Sequence, residues 1–328
     1  MHAGIDIGYD STKVIAGDRQ ASFKSVVGTA ERSRFSLNGH HDSDIILNDN
    51  GAAWLVGDAA VTHSRFINRR EDAGWYQSDE YRRLMLAAFG QLTSGTSVKL
   101  TVVTGLPVAY YTTGKDELGE LFSGRHRLEI EGRTPQQIEV AQCRVIPQPF
   151  GTVLALALND AGRLVDREVA TGPVGVVDIG GKTTNLLSAR GLSDVSRETT
   201  SVNLGAWDVV RAVREHLTTT CAGLDLRDHE VMEAIRQREV WYYGERVDLA
   251  EVVDDKLATM AHTVIATATQ LWNGGAGLRA VLITGGGAHL LGDPLRQAFR
   301  HARIVDNPRY ANALGYYRLA VFLAQNGR

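Results

Sequence analysis

The stretch that decides the fold runs from Gly4 to Lys13 and reads GIDIGYDSTK. Its apolar start predicts a strand over Ala3–Ile7, and Gly8 then permits a tight turn that a Cβ would obstruct. Backbone amides in such a turn point into its concave face and bind phosphate oxygens. Thr12 adds a hydroxyl, and Lys13 adds a positive charge suited to a β- or γ-phosphate. The candidate phosphate contacts are therefore Gly8, Ser11, Thr12 and Lys13.

A second stretch, residues 177–185, repeats these parts and reads VDIGGKTTN. A strand predicted over Val174–Asp178 ends in an acid, and a glycine turn, a lysine and hydroxyls follow it. The acids at the two strand ends, Asp6 and Asp178, can hold Mg²⁺ through water, because this ion keeps much of its hydration shell. The candidate phosphate contacts in this stretch are Gly180, Gly181, Lys182 and Thr183.

A third stretch, residues 282–289, reads LITGGGAH. A buried strand, predicted over Ala280–Ile283, runs into three glycines, whose lack of side chains lets a flat base or a ribose approach the backbone closely. A helix that starts near His289 would present its positive N-terminal end to a ligand. The candidate contacts are Gly285, Gly286 and Gly287.

Each stretch taken alone is typical of an ordinary tight turn. The chain contains no Walker A sequence and no spaced G-x-G-x-x-G dinucleotide turn. Three such turns in this order and at these separations are much more specific than any one of them. The repeated Asp-Ile-Gly of the first two also predicts two similar halves.

Composition narrows the class of protein. The chain has 328 residues, of which 44% are hydrophobic and 22% charged, so it can bury a core of two ordinary domains. A net charge of -3 does not favour direct binding to nucleic acid. Two isolated cysteines, Cys143 and Cys221, fit a reducing compartment and no zinc site. The start of the chain lacks the pattern of a signal peptide, and no apolar run matches a membrane span, so we expect a soluble cytoplasmic protein.

Strands alternate with helices along the chain, which predicts an α/β fold. Another strand is predicted over Lys99–Val103. Ser78 can cap a helix whose apolar residues recur at helical spacing up to Leu92, and a second apolar stripe runs from Leu257 to Leu271. Residues 30–50 are polar and aperiodic and are predicted as a loop or insertion, whereas Thr171-Gly172-Pro173 predicts a turn into a new strand.

Together, the three turns resemble those of the actin-like ATPase superfamily, which includes actin, bacterial cell-shape and plasmid-partition actins, chaperone ATPases and sugar kinases. The resemblance covers the whole chain and implies two duplicated, ribonuclease-H-like α/β domains that flank a cleft for ATP or ADP with Mg²⁺. It implies a first domain at residues 1–155, with an inserted subdomain at about 30–95 and a C-terminal helix, 312–328, that packs back on it. The second domain is expected at residues 156–311.

Finer motifs resemble the plasmid-partition branch of the ParM/StbA type. The GYDSTK of residues 8–13 is similar to its G-Y-x-x-T-K form, and TGLP at 104–107 to its strand end. VGDAA at 56–60 is similar to its V-G-x-x-A strand and turn. This placement implies a filament that positions DNA indirectly, through an adaptor protein bound to a centromere-like site.

The resemblance also assigns catalytic roles. The first connecting helix should contain IPQPFG at residues 146–151, which puts Gln148 at the position that orients the attacking water. A glutamine cannot accept a proton as a carboxylate does, so we expect slow hydrolysis, with Asp6 and Asp178 helping to hold water or Mg²⁺. The alternative is that Gln148 is a helix-capping or core-edge residue and that a neighbouring acid positions the water. Gly205-Ala206-Trp207-Asp208 opens a helix at Val209 and is similar to a G-x-x-x-D segment that lies near the ribose in the family. Asp208 is either a ribose contact or an acid favoured by the helix dipole.

The leading hypothesis is a polymerising ATPase whose partner is a second copy of itself, since a head-to-tail contact that does not close makes a filament. A small-molecule kinase of the same superfamily is the alternative, although no sugar-kinase signature supplies an acceptor base. A non-polymerising adaptor is the third possibility, but it needs a basic amphipathic anchor, and the run Leu314–Arg328 is only lightly basic.

Three further clusters have ordinary interpretations. His40-His41-Asp42-Ser43-Asp44 could suggest a metal site but reads as a solvated loop. Arg65, Arg69 and Arg70 precede two acids and indicate a solvated face or a protomer contact. The aromatic run Trp241-Tyr242-Tyr243 could belong to the core or to an interface. Asn307-Pro308 and Ala311-Asn312 are predicted as a turn and a cap before the last helix.

Overall fold

The structure is a computed structural model of the chain and describes residues 1–30, 44–64, 67–68 and 74–326. The chain divides into two units. Unit 1 comprises Met1–Gly172, Ala189–Asp194 and Tyr310–Arg328, and unit 2 comprises Pro173–Ser188 and Val195–Arg309.

Unit 1 contains the first ten strands and the first five helices. The strands are β1 (His2–Ile7), β2 (Ser11–Ala16), β3 (Arg19–Lys24), β4 (Val27–Thr29), β5 (Ile45–Asp49), β6 (Ala52–Val56), β7 (Ile67–Asn68), β8 (Ser97–Leu106), β9 (Gly124–Leu128) and β10 (Gln136–Pro147). The helices are α1 (Asp58–His63), α2 (Asp79–Leu92), α3 (Val108–Phe122), α4 (Phe150–Ala157) and α5 (Arg167–Thr171), with a short 3-10 helix at Trp75–Gln77.

The remaining elements lie mostly in unit 2. The strands are β11 (Val174–Ile179), β12 (Thr184–Arg190), β13 (Ser193–Asp194), β14 (Thr200–Val202), β15 (Glu239–Tyr242), β16 (Glu245–Asp248), β17 (Ala280–Thr284) and β18 (Ala302–Ile304). The helices are α6 (Ala206–Thr220), α7 (Asp228–Gln237), α8 (Ala250–Leu271) and α9 (Ala288–Ala298), and a 3-10 helix covers Ser196–Glu198. The last helix, α10 (Ala311–Gln325), is part of unit 1.

Both units are built on a sheet of the same kind. In unit 1 the order is β3-β2-β1-β8-β10-β9, in which β1, β8 and β10 are parallel and β1 forms a hairpin with β2. In unit 2 the order is β12-β11-β17-β18, with β11, β17 and β18 parallel. Helices and parallel strands alternate in both, so the α/β prediction is confirmed, as are the four strands expected from the sequence. A separate four-stranded sheet, β5-β6-β4-β7, belongs to unit 1.

The α2 helix shows why local sequence folds as it does. The Ser78 side chain accepts a hydrogen bond from the Tyr81 amide and caps the helix, as predicted. The apolar residues at helical spacing are all buried: Tyr81, Leu84, Met85, Ala88, Phe89 and Leu92. Arg82 and the buried Arg83 of this helix both bond the buried Asp49 of β5, which ties the four-stranded sheet to the helix.

Helix α10 packs very closely on the main sheet of unit 1. A Cβ at Gly4 of β1 would overlap the backbone of α10 at Ala313, and one at Gly315 would overlap α4 at Gly151. The buried Asn312 side chain accepts a hydrogen bond from Thr152 of α4 at 2.8 Å. The prediction that Ala311-Asn312 forms a turn and cap is therefore wrong, because both residues lie inside α10, which Tyr310 caps.

Two other boundaries differ from expectation. The loop predicted over residues 30–50 contains β5, because the short apolar run Ile45–Leu47 is buried against β6. Residues 31–43 lie outside the described residues, as do the basic stretch at Arg65, Arg69 and Arg70 and all but Asp44 of the His40–Asp44 cluster. The helix expected to open at Val209 begins at Ala206.

Candidate functional site

The first phosphate-loop candidate, here called loop 1 (residues 6–13), is the turn between β1 and β2. The Gly8 amide donates to the Ser11 carbonyl at 3.2 Å and closes the turn. Asp6 is 3% exposed and pairs across the hairpin with Lys13, whose Nζ lies 3.5 Å from the Asp6 carboxylate. The hairpin register therefore brings the acid and the lysine together.

Gln148 joins this pair from the end of β10. Its Nε2 donates to Asp6 Oδ1 at 2.6 Å, so its amide oxygen is the group left to accept a hydrogen bond from a water. The backbone holds the residue firmly, because its amide donates to the Leu106 carbonyl at 2.7 Å and its carbonyl accepts from the Tyr316 hydroxyl at 3.0 Å. The structure thus brings three of the predicted site residues into one cluster: Asp6, Lys13 and Gln148.

The expected position of Gln148 on a connecting helix is wrong. Residues Ile146 and Pro147 end β10, where they pair with Gly105 and Leu106 of β8, and helix α4 begins only at Phe150. Gln148 therefore lies in a turn before the helix. It does not cap α4, whose N-cap residue is Pro149.

The expectation that a Cβ at Gly8 would obstruct the turn is wrong, because it would make only ordinary contacts. A Cβ placed there would lie 3.5 Å from Lys13 Nζ and 4.0 Å from Gln148 Nε2, at ordinary contact distances. Folding alone therefore does not demand a glycine at this position. The small gap that it leaves is lined by the Ser11 carbonyl oxygen at 3.4 Å and by an ammonium and an amide nitrogen, of which the last two are groups suited to an anion.

Two of the predicted contacts in loop 1 are placed behind the turn. Thr12 is fully buried, and its hydroxyl is 3.0 Å from that of Ser25. Ser11 is 2% exposed and supplies the carbonyl that closes the turn. In this arrangement both residues support the loop, and their contact with phosphate stays a prediction.

The second candidate, loop 2 (residues 178–184), connects β11 to β12. Its Gly180 amide donates to the Thr183 carbonyl at 2.9 Å, the same turn as in loop 1. The first amides of helix α6 donate to this loop, from Ala206 to Gly180 at 3.0 Å and from Trp207 to Gly181 at 2.8 Å. The first amides of helix α6 thereby satisfy two carbonyl groups of the loop.

Among the other predicted residues of loop 2, Asp178 is 4% exposed and Thr183 is 6% exposed, while Lys182 is half-buried. Asp208 is the third residue of α6, where its Oδ2 accepts from the Gly205 amide at 2.9 Å and its Oδ1 pairs with Arg211 at 3.2 Å. The structure thus shows the capping role of Asp208, and the ribose contact stays a prediction.

The three glycines after β17 differ from one another. Gly285 has a φ of 89°, and a Cβ there would overlap the backbone at the end of β11, at Ile179. A Cβ at Gly287 would overlap the side chain of the same Ile179. These two glycines are explained by the packing of β17 on β11. Gly286 is exposed, and a Cβ on it would meet nothing within 4 Å. Only Gly286 has the open backbone that was expected for contact with a base or ribose.

Sequence reasoning missed an aromatic support behind loop 1. Tyr9 stacks on Trp75 with ring centroids 5.3 Å apart, and Trp75 contacts the edge of Tyr81 at 5.0 Å. Burial raises the pKa of the Tyr81 hydroxyl, and the nearby Asp6 carboxylate raises it further, so this phenol stays protonated. The only signal in the sequence was the Tyr9 of the turn itself.

No ready-made metal cage is present in the described part of the chain. Among residues 1–30, 44–64, 67–68 and 74–326, no three histidine, cysteine or acidic side chains are grouped to hold an ion. Asp6 and Asp178 are each a buried carboxylate near a strand end. Mg²⁺ can take one such protein oxygen and fill its other positions with water and phosphate. The described helices include none with the length and apolar character needed to cross a membrane.

Two family models match the chain. "Actin like proteins N terminal domain" matches residues 4–151, and "Archaeal actin homologue MreB-like, C-terminal" matches residues 176–297. No curated protein sequence matches it.

Solved structures agree over almost the whole chain. The archaeal actin homologue Ta0583 in complex with ADP has a TM-score of 0.79 at 20% identity, covering 97% of this chain and 98% of that one. A 15-stranded ParM filament from Clostridium botulinum has a TM-score of 0.80 at 22% identity, with the same coverage. Apo ParM of psk41 has a TM-score of 0.75 at 19% identity, covering 99% and 98%. At these identities the likeness concerns the fold.

Proposed function

Because this chain belongs to the actin-like proteins, we propose that it is an ATPase that assembles into filaments when it binds ATP. The observation that carries the proposal is the repeated turn: each unit ends a buried strand with an aspartate and closes a glycine turn by the same backbone hydrogen bond. Two such turns can hold the phosphates of one nucleotide through their amides. A solved relative holds ADP, and another is a filament, which supports both halves of the proposal.

Different residues bind the phosphates and position the water in the proposed hydrolysis. Lys13 and the loop amides bind the phosphates and stabilise their charge, while the Gln148 amide oxygen orients the attacking water. Gln148 cannot take a proton, so positioning supplies most of the effect, and hydrolysis is slow. Mg²⁺, held through water near Asp6 and Asp178, would neutralise phosphate charge when bound. We further propose that the filament moves DNA through an adaptor bound to a centromere-like site.

Nucleotide binding is tested at the third motif, with Gly286→Ala compared against Gly277→Ala. Both glycines lie in unit 2 and have open space where a Cβ would be, so neither substitution should affect folding. The affinity for a fluorescent ATP analogue should fall about tenfold for Gly286→Ala and stay unchanged for the control, because only Gly286 would meet the adenosine. Equal affinities for both variants would contradict the assigned nucleotide site.

Assembly is tested by pelleting and electron microscopy with ATP and Mg²⁺, with ADP, and without nucleotide. Filaments that require ATP support the proposal. Protein that binds ATP but stays monomeric at every concentration would point to an adaptor, and phosphate transfer to a small acceptor in a coupled assay would point to a kinase.

A further inference from the structure

The hairpin of β15 and β16 in unit 2 exposes large aromatic side chains. Trp241 is 58% exposed and Tyr243 is 90% exposed. The hairpin itself is anchored, because the Tyr242 hydroxyl donates to the Ala222 carbonyl at 2.8 Å. The guanidinium of Arg246 lies 5.1 Å from the Trp241 ring, on the paired strand. The exposed rings are therefore presented on an ordered element.

The turn of this hairpin contains a residue that folding does not favour. Tyr243 has a φ of 49° and Gly244 a φ of 85°, which is the pattern of a two-residue turn that prefers Asn-Gly. A tyrosine in the left-handed region is disfavoured, since its Cβ crowds the backbone there. The Tyr243 ring lies against that of Tyr242, with centroids 4.5 Å apart, yet it stays 90% exposed. Turn chemistry alone does not favour a tyrosine here, and most of its surface is available to another molecule.

A second exposed apolar pair lies in unit 1, between α4 and α5. Leu164 is 46% exposed and Val165 is 58% exposed. Arg163 and Arg167 flank the pair, both are exposed, and neither forms an ion pair with any described residue. Asp166 lies between them, and its side chain caps α5 by accepting from the Val169 amide at 2.9 Å. We call residues 163–167 the basic-apolar segment.

The two surfaces carry opposite charges that have no ion-pair partner in the described chain. Beside the exposed aromatics, Glu245 is exposed and has no ion-pair partner in the described chain, whereas Glu239 pairs with Arg246 at 3.3 Å. An acid beside aromatic rings on one surface thus matches two arginines beside aliphatic side chains on the other. Arginine also binds well over aromatic faces.

We propose that the hairpin of one copy, residues 239–248, docks on the basic-apolar segment of the next copy. The contact is heterologous, since it joins two different surfaces, and such contacts extend into open assemblies. It rests on the proposed function, because it supplies a contact of the proposed filament. Glu245 pairs with Arg163 or Arg167, and the rings of Trp241 and Tyr243 cover Leu164 and Val165.

The variant Tyr243→Asn distinguishes an effect on folding from an effect on the contact between copies. Asparagine suits the left-handed turn position, so this variant should unfold at the same temperature as the wild type or higher, and it should bind nucleotide equally well. The critical concentration for ATP-dependent pelleting should rise more than about tenfold, as expected when a central aromatic contact is removed. Val165→Ser, on the opposite surface, should have a similar effect.

The pairing itself is tested by charge reversal. Pelleting should be blocked by Glu245→Arg alone and by the double variant Arg163→Glu/Arg167→Glu alone. An equimolar mixture of the two variants should pellet, because the hairpin of each variant then meets a segment of opposite charge on the other. Glu215→Arg, an exposed acid of α6, is the matched control and should pellet normally.

The outcomes are distinct. Wild-type filaments that Tyr243→Asn leaves unchanged would overturn the docking while leaving the proposed function intact. Loss of pelleting in both charge variants without any recovery in their mixture would also overturn the pairing. Wild-type protein that stays monomeric with ATP would overturn the proposed function and the docking together.

Discussion

Loop 1 and loop 2 make the same turn with different supports. In loop 1, the groups around the turn are side chains: Asp6 bonds Lys13 and Gln148, and Tyr9 stacks on Trp75. In loop 2, backbone groups join the loop to α6, because the first two amides of α6 donate to the loop carbonyls, and the Thr184 hydroxyl adds a bond to the Leu204 carbonyl at 2.8 Å. A duplicated motif can therefore keep its geometry while the chemistry that stabilises it diverges.

This difference assigns separate tasks to the two loops. The side-chain cluster of loop 1 contains Gln148, which we propose orients the attacking water, so substitutions there should affect hydrolysis and affinity more than folding. Loop 2 is fixed by close backbone packing, so substitutions behind it should affect folding first. Each of the following predictions tests one side of this contrast.

The largest effect is expected behind loop 2, at Gly205→Ala. A Cβ there would overlap the Gly181 and Lys182 backbone, which must shift to admit it. The free energy of unfolding should fall by about 1–3 kcal/mol, and nucleotide affinity should fall with it. Thermal and urea unfolding measure the first and analogue binding the second. Gly277→Ala is the control, and a Gly205→Ala protein as stable as this control would contradict the backbone support of loop 2.

In loop 1, Gln148→Ala should slow hydrolysis without loss of stability. The variant removes the water acceptor and one hydrogen bond to Asp6, so single-turnover ATP hydrolysis should fall about 10–100-fold while analogue affinity changes little. Gln148→Glu provides the sharper comparison. It would place a second carboxylate against Asp6, and the repulsion should lower the unfolding temperature more at pH 8 than at pH 5. An unchanged hydrolysis rate in Gln148→Ala would remove Gln148 from the mechanism.

A smaller effect is expected for Gly8→Ala. The added methyl group has room, so the unfolding temperature should stay within a degree or two of the wild type, yet it occupies the gap beside Lys13 Nζ. Analogue affinity should fall about tenfold. A variant that is clearly destabilised would show that loop 1, like loop 2, depends on backbone packing, and the contrast between the loops would fail.

The smallest effect concerns the aromatic support of loop 1. Tyr9→Ala removes the stack on Trp75 and should weaken analogue binding a few-fold, whereas Tyr9→Phe keeps the stack and should bind normally. Binding curves for the two variants and the wild type make the comparison. Equal weakening by both substitutions would assign the effect to the hydroxyl instead of the stack.

Much of the fold and of the candidate site could be predicted from the sequence, because strand-ending acids and glycine turns are local signals. Asp6, Gly8, Asp178 and Gly180 were placed correctly at strand ends and turns for that reason, and the Ser78 cap is equally local.

The errors have a common physical cause. Pro147 continues β10 because it pairs with Leu106, a residue far from it in the sequence. Gln148 therefore lies in the turn after the strand, whereas the sequence predicted it inside a helix. The stack of Tyr9 on Trp75 joins residues far apart in the sequence, and the burial of Thr12 depends on Ser25 of the segment after β3. Periodicity reports which face of an element is buried, and it does not report which partner buries it.

The position of α10 has a consequence for the order of folding. The Tyr316 hydroxyl bonds the Gln148 carbonyl across 168 residues of sequence, and α10 fills the close contacts left by glycines in β1 and α4. Closing so long a loop costs conformational entropy, whereas the hairpin of loop 1 needs only local contacts. The hairpin of loop 1 can therefore form early, while the turn that holds Gln148 becomes fixed only when α10 docks.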